Sequence, residues 1–121
     1  GSKIFGEEPH APSLHEFVHD ELDLTDDQMA KLDALEQAFA VRRKAREAEL
    51  LAANAALAAA IQAGHTYSPE VQIAVERFHH AMGELQKETI LHVLDMRRLM
   101  TPAQAARYDV RISQALTEDT R

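Results

Sequence analysis

Cysteine and tryptophan are absent from the 121 residues. The first absence excludes disulfides, thiolate zinc sites and cysteine nucleophiles. Glycine and proline number four each and aromatics make up 5% of the chain. That leaves little turn material for a sheet protein and few large side chains for a thick core. Hydrophobic residues nevertheless reach 45%, many of them alanine, a balance that favours slender packed helices. Positive charge is sparse: the formal net charge is −7, and no basic block is concentrated enough to follow phosphates. Nucleic acid is therefore not an expected partner. No stretch approaches the run of about 20 apolar residues that spans a bilayer.

What is present is punctuated for helices. Gly1-Ser2 reads as a cloning scar, and residues 1–12, with two prolines and no periodicity, as a flexible leader. Residues 13–121 read as a single helical domain. Ser13 and Glu16 form a capping box opening a short helix that ends in the acidic run Asp20-Glu21-Leu22-Asp23. Thr25-Asp26-Asp27-Gln28 starts a long helix over roughly 26–63, about 57 Å at 1.5 Å per residue, with Gly64 as its C-cap. Ser68 and Pro69 open a third helix running to about Met100. Thr101-Pro102-Ala103-Gln104 starts a fourth, ending near Leu116. The expected fold is all-α: an antiparallel hairpin of two long helices with a short helix near each outer end.

The third helix carries an apolar seam. Val71, Phe78, Leu85, His92 and Leu99 recur every seven residues, with Val75, Met82, Thr89 and Met96 four later. The second helix answers with Met29, Glu36, Arg43, Leu50 and Leu57, interleaved with Leu32, Phe39, Arg46, Ala53 and Ala60. Arg43 and Arg46 are expected to pair with glutamates such as Glu84 and Glu88. Glu36 stands where a carboxylate needs a partner or a metal. A tight hairpin turning near residue 66 sets Glu36 opposite Met96, one turn from His92. His15 and His19 share the same i,i+4 spacing as His92 and Met96. A short first helix folding back through Asp20–Leu24 makes the histidine pair a lid over the other three. Taken singly, such a histidine pair also fits a solvated face, and such a methionine a core. Of the other histidines, His10, His65, His79 and His80 read as solvated.

The His15-Glu-Phe-Val-His19 pair, Glu36 in a long Arg-rich helix, Ser68-Pro69-Glu70-Val71 and His92-Val-Leu-Asp-Met96-Arg97 together resemble the CnrX/NccX-type periplasmic sensors of nickel and cobalt resistance. The resemblance covers nearly the whole chain from Leu14. It implies a metal site of His15, His19, Glu36, His92 and Met96, and a dimer of four-helix hooked hairpins. It also implies a periplasmic location, with an inner-membrane anchor upstream that is absent from this chain. The implied partner is a membrane-bound anti-sigma factor controlling an extracytoplasmic-function sigma factor. Leu24-Thr25-x-x-Gln28 and Met100-Thr101-x-x-Gln104 resemble the Leu-Thr-x-x-Gln signature of the wider Spy/CpxP-like periplasmic stress family, the second copy with Met for Leu.

Three imidazoles, a bidentate carboxylate and a thioether would give six donors, suited to octahedral Ni²⁺ or Co²⁺. Zn²⁺ would be satisfied by the three histidines and Glu36, leaving Met96 off. The leading expectation is thus a metal sensor and not an enzyme. A periplasmic chaperone of the Spy/CpxP type with a structural metal is the alternative. A metal-dependent hydrolase, which needs an open coordination position and a nearby base, comes third.

Overall fold

The computed structural model describes residues 14–118, and every regular element among them is a helix. The expected leader over 1–12 and the Ser13 cap lie outside the described residues. The helices are α1 (Leu14–Glu21), α2 (Asp26–Gly64), α3 (Pro69–Arg97) and α4 (Pro102–Glu118). The all-α expectation holds, with two long helices and two shorter ones. No helix among the described residues is long and apolar enough to cross a membrane.

The caps are those the sequence spells out. In the box before α2 the Thr25 amide donates to Gln28 Oε1 at 2.8 Å, and the Gln28 amide to Thr25 Oγ1 at 3.1 Å. Thr101 and Gln104 repeat the exchange before α4 at 2.9 and 3.2 Å. Ser68 caps α3 by accepting from the Val71 amide at 3.2 Å, with Pro69 in the first turn. The end of α2 differs from expectation. Gly64 is still helical, and the left-handed residue is His65, at φ 57°. The carbonyl of Ile61 accepts from His65, which ends the helix there. α3 stops at Arg97, short of Met100, because the Arg98 amide is shared between the carbonyls of Leu94 and Asp95 in a tightened last turn.

The described residues group into two compact units. One runs from Lys31 to Arg98 and holds the hairpin of α2 and α3. Phe39 meets His92 across it and Arg46 meets Glu88, within about two residues of the register expected from a turn near residue 66. Its buried apolar residues are Leu32, Phe39, Ala53, Val71, Ala74, Ala81 and Met96. The stripe on α3 therefore departs from the expected seam. Ala74 and Ala81 are buried, and Met82 is 42% exposed. Alanine lets two helix backbones approach, which a methionine on the same line prevents.

The other unit comprises α1, the start of α2, and the chain from Leu99 through α4. α1 packs on α4, and Val18, Leu22 and Tyr108 lose essentially all contact with solvent. Two glutamines stitch this unit together. Gln28 Nε2 donates to the Leu99 carbonyl at 2.9 Å and to Gln104 Oε1 at 2.8 Å. Gln104 Nε2 donates in turn to the carbonyls of Leu22 and Asp23 at 3.2 and 3.4 Å. Asp23 sits at φ 54°, in the left-handed region, within the link between α1 and α2.

Candidate metal centre

His15 and His19 lie on one side of α1, their ring centroids 4.3 Å apart and their planes tilted by 42°. That is the i,i+4 arrangement which lets two imidazoles address one ion. His15 is exposed and His19 half-buried, and Val18, one turn after His15 on the flank of the pair, is buried.

In the hairpin unit, His92 is a buried residue on α3, 7% exposed. Its ring stacks on Phe39 of α2 with centroids 4.3 Å apart and planes within 4°. Phe39 in turn has the guanidinium carbons of Arg42 and Arg43 at 5.9 and 5.6 Å from its centroid, within the range of cation–π attraction. Met96, one turn beyond His92, is 4% exposed. Glu36 is half-buried on α2, one turn before Phe39, and its charge acts on His92.

The surroundings of His92 favour its neutral ring. Burial holds its imidazole below the ordinary value of 6.5. Glu36 and Asp95 pull the other way, and Arg42 and Arg43 add to the lowering. Metal binding requires the unprotonated ring, so a ring lowered in this way would lose less affinity to proton competition than an exposed histidine. The donors fit the expected class of ion: imidazole and carboxylate for Ni²⁺, Co²⁺ or Zn²⁺, and a softer thioether beside them.

The structure thus brings His15 to His19 within one unit, and places Glu36, His92 and Met96 in the other. The seam arginines follow expectation in part. Arg46 Nε lies 3.6 Å from Glu88 and its Nη1 2.8 Å from Glu49. Arg43 pairs along its own helix with Glu47 at 3.8 Å, and not with Glu84. Arg43 is largely exposed, off the buried line it was expected to join. Phe39 was legible only as an apolar seam residue, and its face-to-face contact with His92 was missed. Its position one helical turn after Glu36 was the available signal.

Residues 4–107 match the family model for heavy-metal resistance. The chain belongs to that heavy-metal resistance family. A nickel and cobalt resistance protein, CnrR, from Cupriavidus metallidurans is 39% identical to it over 103 residues, covering 85% of this chain and 70% of the relative.

Proposed function

We propose that the chain is a metal-ion sensor that takes Ni²⁺ or Co²⁺ through His15, His19, Glu36, His92 and Met96. The observation that carries this reading is the buried pair on α3. A neutral, ring-stacked imidazole stands one turn from a buried thioether, with a carboxylate acting on it from α2. The 39% identity to a nickel and cobalt resistance protein favours those two ions. Zn²⁺, satisfied by four donors, would leave Met96 out. Recruitment of the thioether by the right ion then reads coordination geometry. Affinity alone follows the order that favours copper. An ion held by all five residues biases whichever conformer brings them together.

The output proposed is binding, not catalysis. The chain would act in the periplasm, as a homodimer, through a membrane-bound anti-sigma factor that releases an extracytoplasmic-function sigma factor. Titration with Ni²⁺, Co²⁺ and Zn²⁺ by calorimetry and absorption is the test. Tight binding of nickel and cobalt, weakened in His92→Ala and His19→Ala, supports the site, and equal affinity in parent and variants sinks it.

A second reading has its own support. Leu51, Ile61, Ile73 and Met82 in the hairpin unit are all more than two-fifths exposed, as a surface for unfolded clients would be. Suppression of client aggregation at sub-stoichiometric chain would favour a Spy/CpxP-type chaperone with a structural metal.

A further inference from the structure

α1 has eight residues, too few to hold a helix by itself in water, where about 12–15 are marginal. Yet His15 and His19 form a chelating pair only when those two turns are helical, because i,i+4 residues are about 5–6 Å apart on a helix but about 13 Å apart along a strand. Something outside α1 must therefore impose its conformation. α4 supplies it in two ways. Its Ala105 and Tyr108 are buried in the unit that buries Val18 and Leu22. Its polar side chains also take up the carbonyls at the α1 terminus: Arg107 Nη2 donates to the Glu21 carbonyl at 2.5 Å, and Gln104 Nε2 to those of Leu22 and Asp23. The Glu21 carbonyl lies at the negative end of the helix dipole, where a guanidinium is doubly suited, as donor and as charge.

We infer that Arg107, with Gln104, is a positioning residue of the metal site, holding α1 helical so that His15 and His19 present their rings together. This rests on the metal-site reading above. Arg107 touches neither histidine; it acts through the backbone of Glu21. The side chain is exposed, so replacing it leaves the buried part of the unit intact.

The test compares the parent with Arg107→Met, Arg107→Lys and His19→Ala in two measurements. In the metal-free chain, amide hydrogen exchange across Val18–Leu22 should quicken about tenfold in Arg107→Met, with α3 unchanged. Cobalt titration of the same variant should show affinity lowered about tenfold, the usual size for a group supporting a ligand from outside. Its visible spectrum should shift towards that of His19→Ala, and Arg107→Lys should recover part of both effects. Parental exchange and parental cobalt binding in Arg107→Met would overturn the inference, as would a loss that lysine does not relieve. Cobalt binding unchanged in His19→Ala would overturn the metal-site reading and this inference with it. Weakened binding in His19→Ala beside parental behaviour in Arg107→Met overturns the positioning role alone.

Discussion

Met96 is where packing and chemistry are hardest to separate, since a buried methionine serves either. Met96→Leu tells them apart. It nearly conserves volume, so the loss of stability should stay below about 1.5 kcal/mol. If the thioether is a ligand, the cobalt form should lose its sulfur-to-metal absorption in the near ultraviolet and come to resemble a site without sulfur. Identical cobalt spectra in parent and variant would assign Met96 to the core. Gln104 poses the converse question, whether an amide is needed where a carboxylate would also cap. In Gln104→Glu the oxygen that accepts from Thr101 remains, but the donor to the Leu22 and Asp23 carbonyls becomes an acceptor facing acceptors. Such a loss costs about 1–3 kcal/mol, and urea unfolding should show it; an unchanged midpoint would mean that water replaces the donor. At this scale the sequence was generous with spacing and silent on orientation. The i,i+4 pairs could be read directly. The Phe39 ring on His92 and the Gln28–Gln104 bond join residues far apart in the chain, and no local pattern encodes them.

Helix limits were legible because they are set by local hydrogen bonds. Each of the three caps expected at Thr25, Ser68 and Thr101 forms with the partner three residues on. The buried stripe of α3 was harder, because a heptad allows either a three- or a four-residue step after each first position. Hydrophobicity favoured Val75 and Met82; close helix approach selects Ala74 and Ala81. The same blindness to backbone geometry put the helix-ending role on Gly64, when His65 adopts the left-handed conformation. Gly83 offers a clean measurement of what α3 forgoes. It lies mid-helix and is exposed, and a Cβ built on it would meet nothing within 4 Å. Gly83→Ala should therefore raise stability by about 0.5–1 kcal/mol through the unfolded state and helix propensity. A fall in melting temperature would show that this face is covered by something in solution.

For the molecule as a whole, the titration of His92 links acidity to stability and, on the proposed reading, to metal. Its imidazole is held below 6.5 chiefly by burial, with Arg42 and Arg43 adding to the lowering and Glu36 and Asp95 opposing it. The folded chain thus binds this proton less readily than the unfolded one. The sign follows: the contribution from neutral His92 is fully present above about pH 6.5 and is lost as pH falls from there through the lowered folded value. One such group changes stability by at most about 1.4 kcal/mol per pH unit within that window. Metal-free melts between pH 7.5 and 5 should therefore show a steeper acid loss in the parent than in His92→Gln, and equal slopes would mean that His92 does not carry the difference. On the proposed metal-site reading, nickel adds a second dependence. It would stabilise by mass action, about 2.7 kcal/mol at a hundredfold excess over its dissociation constant, and imidazole ligands would have to be unprotonated to hold it. The nickel-induced rise in melting temperature should accordingly shrink below about pH 6.5 in the parent. It should be small at every pH in His92→Gln. A nickel effect that persists undiminished to pH 5 would show that the ion is held by carboxylates elsewhere and that the histidines are not its ligands.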